Sequence, residues 1–371
     1  MKKIYTQPRI ETVATTPQQM LCASGGIKAQ ISGYNQNTGG GFTQTFVWLA
    51  GVVCSSLLFL GTACSTNNNP DQPKQQAELK PRTLVVTQTE GANRTQEVRR
   101  LPQATITDEG ETLNALWSKD DEISFRNLSR ESYTDPETQT LVSLEGVLLA
   151  DRSARIASFA SNDKVWCDVN NQILLVYPKA TAPAFEIIGT NPLTAKYTIS
   201  LTGQDGSLDT IASTYHYSYG IATITEVTPT VANAELAEMQ NLLTVCKFSF
   251  VDKDEPGTPL QITSLSISYG DGTYANTYPE TATVTVTQGT PCTVAVTPDK
   301  KSEAAGGNVL SINPTGNPKE VYVALFPEAT ATTYSFSLES NGNTYTGTAT
   351  AQLVAGEYVV ATNLKLTKVN H

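Results

Sequence analysis

From residue 80 onward, apolar and polar positions alternate in short runs separated by turn residues. Thr83-Leu84-Val85-Val86-Thr87, Glu122-Ile123-Ser124-Phe125-Arg126 and Lys196 to Leu201 read as strands, and Ile262 to Ser268 and Thr281 to Val286 repeat with period two, which places one face in a core and the other in water. Ile173 to Tyr177 is a further strand. Val321-Tyr322-Val323-Ala324-Leu325-Phe326 is apolar throughout and bounded by Pro318 and Pro327, a pattern suited to a central strand. Tyr334 to Leu338 and Thr344 to Ala349 flank Asn341-Gly342, residues that supply the positive φ of a tight hairpin turn, and Asp271-Gly272 predicts a second one. Helical periodicity is scarce, with a turn or two expected at Leu208 to Ser213 and at Ala234 to Gln240. Many short strands at this spacing predict an all-β chain, and its length predicts two tandem β-sandwiches, residues 82–228 and 229–371, divided at Glu226-Val227-Thr228-Pro229-Thr230.

The start of the chain follows another rule. Residues 46–63 are 18 consecutive residues without a charge, at the short end for a membrane span, and Gly61-Thr62-Ala63 places small residues directly before Cys64. This arrangement resembles the lipobox of bacterial lipoproteins, in which the cysteine is lipidated and becomes the new N-terminus. Gly61 departs from it, standing where Leu is commonest. An uncleaved anchor and a buried helix are the alternatives. On the lipoprotein reading, residues 1–63 are leader and signal segment, and residues 64–81 are the lipidated Cys64 with a polar flexible tether. The 45 residues before the apolar run are long for a secretion signal, and their opening resembles short leader-like peptides of Bacteroidota.

Charge sharpens this division. The chain has 25 Lys+Arg against 35 Asp+Glu, a formal net charge of −10. Residues 1–63 hold only Lys2, Lys3, Arg9 and Lys28 against Glu11, so the acidic excess belongs to the rest of the chain. That balance argues against a nucleic-acid partner, whose phosphates are met by clustered Lys and Arg. Two histidines, His216 and His371, leave little for His-based catalysis or a multi-His metal site, and no nucleophile elbow, P-loop, dinucleotide fingerprint or zinc-protease motif is present. Asp120-Asp121-Glu122 reads as a turn rather than a pair of glycosidase acids, and His216 as a half-exposed strand residue between tyrosines. Asp252-Lys253-Asp254-Glu255-Pro256-Gly257 opens like a calcium loop, but Thr263 stands where the bidentate Glu belongs, which favours a solvated loop. The sequence therefore predicts no catalytic residues, cofactor or metal. Cys22 and Cys54 fall in the leader, and Cys167, Cys246 and Cys292 leave room for one disulfide at most. Asp209-Thr210-Ile211 resembles the short O-glycosylation signal of Bacteroidota envelope proteins, with Thr210 the acceptor.

Two longer stretches carry a wider resemblance. Leu113-Asn114-Ala115-Leu116-Trp117-Ser118-Lys119-Asp120-Asp121-Glu122-Ile123 places a Trp and an Asp-containing turn before a strand. Val321 to Pro327 is followed by a hairpin and by Val354-Ala355-Gly356-Glu357-Tyr358-Val359-Val360 with Leu364-Lys365-Leu366. Over residues 80–368 this arrangement resembles the fimbrillin family of Bacteroidota, although Lys119-Asp120 replaces that family's usual Gly-Asp turn. The resemblance implies a transthyretin-like, fimbrillin-like fold and an outer-membrane lipoprotein that is a subunit of a pilus. It also implies assembly with other pilin-like subunits by β-strand exchange and adhesion to host or bacterial surface ligands. In polymerising members an N-terminal strand is removed by cleavage after an Arg. Here the first strand is Arg82 to Gln88, and Arg94, Arg99 and Arg100 follow it. A monomeric outer-membrane lipoprotein that binds glycan or host protein is the competing reading.

Overall fold

The computed structural model describes residues 78–89, 105–108, 110, 113–179, 185–189 and 192–369. Their fold is all-β. The strands of the first half are β1 (Lys80–Gln88), β2 (Thr105–Asp108), β3 (Leu113–Leu116), β4 (Glu122–Asn127), β5 (Tyr133–Thr134), β6 (Leu141–Val142), β7 (Glu145–Ala150), β8 (Ser158–Cys167), β9 (Gln172–Tyr177), β10 (Glu186–Ile188) and β11 (Thr194–Ser200). A helical turn at Leu208–Tyr215 precedes β12 (Ser218–Val227), β13 (Val231–Leu236) and β14 (Gln240–Asn241). The second half contains β15 (Thr244–Asp252), β16 (Ser264–Tyr269), β17 (Thr281–Thr287), β18 (Thr293–Pro298), β19 (Leu310–Ile312), β20 (Glu320–Leu325), β21 (Thr332–Ser340), β22 (Asn343–Ala351) and β23 (Tyr358–Lys368).

The first sheet runs β13-β1-β8-β7-β4-β9-β12 and closes on itself, because β12 also pairs with β13. The two-layered β architecture expected for this half is thus closed into a barrel. Closure leaves no free edge among its seven strands, which removes the usual hazard of an exposed strand ladder. Alternate side chains turn inward: Leu84 and Val86 on β1, Ile123 and Phe125 on β4, and Ile173, Leu175 and Tyr177 on β9 share one core around Trp117. The Trp117 ring meets Phe159 at 4.9 Å and Tyr177 at 5.4 Å, both edge to face. The intervening Leu174 and Val176 of β9 are buried as well, in the second core. Burial on both faces explains why Ile173 to Tyr177 is apolar without alternation.

That second core lies between a four-stranded sheet, β10-β11-β17-β18, and a seven-stranded sheet, β19-β16-β21-β22-β23-β15-β20. The expected division at 228/229 falls in the turn between β12 and β13, both of them barrel strands, while β10 and β11 of the first half pair into the sheet of β17 and β18. The last strand, β23, lies parallel to β15 and meets β22 only at Tyr345 and Thr346.

Three local expectations are corrected. Ala234 to Gln240 is not helical, because Ala232, Ala234 and Leu236 alternate into the barrel core and this period-two burial overrides helix propensity. Val321 to Phe326 is not central. Strand β20 lies at the sheet edge, where a side-chain amide and neighbouring groups take the place of a second strand. The Gln204 carboxamide accepts from Ala324 N at 2.7 Å and donates to its carbonyl at 3.0 Å, while Gly206 O and the Tyr278 hydroxyl accept from the N–H groups of Tyr322 and Phe326. Finally, Asp271-Gly272 makes a turn with Gly272 at φ 77°, but β16 and β17 on either side belong to different sheets and form no hairpin. The Asn341-Gly342 hairpin does form, with φ of 50° and 74° at the two residues.

Candidate functional site

Strand β1 occupies an unusual place in the barrel. It is antiparallel to β8 and parallel to β13, and every other pairing in the barrel is antiparallel. A parallel neighbour cannot be joined by a tight turn. Strand β1 ends at Gln88, whereas β8 begins at Ser158 and β13 at Val231, so no hairpin ties it to either neighbour. Its contacts alone hold it between them. Leu84 and Val86 are completely buried, each contributing roughly 1.5–3 kcal/mol of apolar burial.

Polar anchors fix both ends of the strand. Arg82 is 6% exposed. Its Nε donates to Thr228 O at 2.8 Å, its Nη1 donates to Cys167 O, and the Asp168 carboxylate stands 3.9 Å away. At the other end, Trp117 Nε1 donates to Gln88 Oε1 at 3.3 Å. Between them β8 bulges opposite Leu84: the register passes from Thr83↔Lys164 to Val85↔Ala160, and the N–H left over at Leu84 donates to the buried Ser161 hydroxyl at 2.9 Å. Taking β1 out would open the barrel and expose two unpaired strand edges, β8 and β13.

A second polar cluster ties the next strand down. Asp108 ends β2, and its Oδ2 accepts from Lys247 Nζ of β15 at 2.8 Å and from the Tyr322 hydroxyl of β20 at 2.6 Å. Lys247 also meets Glu320 at 3.0 Å. Burial pushes the Asp108 carboxyl upward, but hydrogen bonds from Lys247, Tyr322 and the Gly110 N–H outweigh it and hold the group below its ordinary value. Lys247 is held above its ordinary value, chiefly by its hydrogen bond to Asp108, and burial with the same carboxylate raises Tyr322 to about 12. Residues 90–104, which carry Arg94, Arg99 and Arg100, thus run from the end of β1 to a strand pinned on the second core.

Arg94, Arg99 and Arg100 themselves lie outside the described residues, as do Cys64 and the apolar run 46–63. Among the described residues no helix is long and apolar enough to cross a membrane. Thr210 sits in the helical turn with its hydroxyl engaged, donating to Asp205 at 2.8 Å and accepting from Ser207 at 2.8 Å. His216 is buried, not half-exposed, because it follows this turn instead of lying within β12. Asp120-Asp121-Glu122 forms the turn into β4, with Asp120 at φ 68° and Asp121 Oδ2 accepting from Ser118 N at 2.7 Å. Asp252 turns its loop locally by accepting from Asp254 N. Cys167, Cys246 and Cys292 are all free thiols, and no group of three metal-ligating side chains occurs among the described residues. An apolar cavity of about 20 Å³ is lined by residues that include Cys246, Phe248, Tyr334, Phe336, Val359 and Leu364.

The sequence pattern found the strand but not its anchors. Arg82 and Gln88 share the even positions of Leu84 and Val86, so the same alternation that buries the two apolar residues turns both polar ones inward. Asp108 and Lys247 lie far apart in the chain, and no local pattern links them.

No family model matches the chain, and no curated protein does. Among solved structures, it is similar to candidate cell adhesion proteins from Bacteroides uniformis and Bacteroides ovatus. The first has 13% identity, 80% of this chain and 98% of the other covered, and a TM-score of 0.44. The second has 14% identity, coverage of 79% and 97%, and a TM-score of 0.43. A streptococcal ancillary pilin aligns over 78% of this chain and 70% of its own at 15% identity, with a TM-score of 0.26.

Proposed function

We propose that this chain is a fimbrillin-like surface lipoprotein, a structural or accessory subunit of a pilus that assembles by β-strand exchange and serves adhesion. The observation that carries the reading is the seat of β1, the first strand of the described residues, held in a closed barrel by side chains and ladder bonds and followed by a link with three arginines. Cleavage after Arg94, Arg99 or Arg100 would leave β1 without a covalent tie, and its departure would offer β8 and β13 to a strand from another subunit. The Asp108 cluster supports this order of events, since it keeps β2 in place when the residues before it are lost.

On this reading Cys64 carries the lipid that anchors the precursor in the outer membrane, the barrel is the exchanging part, and the second core is the platform against which β2 and β9 pack. The function is structural, not enzymatic, and its partners are other pilin-like subunits and surface ligands. Native-size analysis of detergent-extracted envelope tests it. SDS-resistant ladders containing the chain are expected, whereas a single lipidated band would favour a monomeric binding lipoprotein.

A further inference from the structure

The ends of the β1 slot specify more than an apolar strand. We infer that, within the exchange reading above, the slot selects an extended segment carrying Arg, two apolar residues and a terminal carboxamide at alternate positions, in a single register.

The cationic requirement comes from one end of the barrel. Thr228 O, Cys167 O and the Asp168 carboxylate converge on the Arg82 guanidinium, which is almost wholly removed from water. A planar guanidinium can serve two carbonyls and a carboxylate at once, which a single ammonium point cannot do as well. An occupant lacking this group leaves the buried Cys167 carbonyl without this donor.

The amide requirement comes from the opposite end. The indole of Trp117 is a donor only, it is 1% exposed, and its acceptor is supplied by β1 itself. An apolar residue in place of Gln88 would strand that N–H in the core.

Register is set by the bulge on β8. Ser161 Oγ and the inward face of the apolar pair exclude odd slips, and the Arg82 and Gln88 anchors exclude slips of two. A slip by one residue would point Thr83, Val85 and Thr87 at Trp117 instead. The position that donates to Ser161 must also not be proline, which has no N–H.

The chain's own sequence then says where the occupant comes from. The order cation, any, apolar, any, apolar, any, carboxamide occurs at Arg82 to Gln88, and no other Lys or Arg of the chain begins it. In the orientation of β1, the one segment of a second copy that satisfies the slot is its own β1.

The test uses the full chain with a site-specific protease sequence placed within residues 90–104, cut after folding. Fluorescent peptide Lys-Pro-Arg-Thr-Leu-Val-Val-Thr-Gln is offered as a surrogate occupant, alongside the same peptide with Arg82→Ala or Gln88→Leu. Uptake of the parent peptide, with each variant weaker by about tenfold or more, is the expected result. Equal uptake of all three would overturn the selection rule and leave strand exchange standing. Failure of the parent peptide to enter, with the original β1 retained, would overturn the exchange reading itself.

Discussion

Trp117 donates its indole N–H to the side-chain oxygen of Gln88 at 3.3 Å, joining the centre of the barrel core to the last residue of the strand that completes the barrel. The contact makes the core's largest side chain dependent on a strand that has no hairpin link to its neighbours. Gln88→Leu keeps the volume but removes the acceptor. It should cost about 1–3 kcal/mol, the penalty for a buried donor without a partner. Urea unfolding followed by tryptophan fluorescence measures this, and Thr87→Ala, on the exposed face of the same strand, should lie within about 0.5 kcal/mol of the parent.

The Asp108 pin predicts a pH dependence with a definite sign. The Asp108 carboxyl is depressed below 3.8 in the folded chain, so its contribution is present above that value and is lost as pH falls through the folded-state value. Lys247 is raised above 10.5, so its contribution is complete below 10.5 and is lost only at more alkaline pH. Asp108→Asn should therefore cost about 2 kcal/mol across the neutral range, and the gap from the parent should close on acidification below pH ~4. Thermal or denaturant unfolding of both proteins across that range checks it.

The three free thiols of the described residues report on β1. Cys292 is half-buried, Cys246 and Cys167 are fully buried, and burial pushes the Cys167 thiol up to about 11. Iodoacetamide at pH ~8 should label Cys292 first, with Cys167 protected, because the thiolate is the reactive form. After cleavage in residues 90–104 and removal of β1, whose Lys80 is the register partner of Cys167, labelling of Cys167 should rise while Cys246 stays protected. Peptide mapping by mass spectrometry reads all three sites.

What the sequence made legible follows the range over which each pattern acts. The β-branched apolar run Leu84-Val85-Val86 declares β1, and Asn341-Gly342 declares its hairpin by backbone preference, both within a few residues. Val321 to Phe326 shows complete burial but not its cause. Gln204, more than a hundred residues away, covers the edge that a neighbouring strand was expected to cover. Barrel closure was equally hidden, because it depends on β13 serving both β12 and β1 while Ala234 and Glu235 locally favour a helix. His216 was read with the tyrosines beside it, yet the helical turn ending at Tyr215 takes it out of the strand. The anchors of β1 lay in plain order at Arg82 and Gln88. Their partners, Cys167 O, Thr228 O and Trp117, come together only in the fold.

The central claim is that β1 leaves this chain during assembly, and the N-terminus of the assembled protein tests it most directly. Edman degradation or terminal-peptide mass spectrometry of the surface-assembled form should find a start at Thr95, Arg100 or Leu101, immediately after one of the three arginines. A start at Cys64, with β1 still attached, would contradict it.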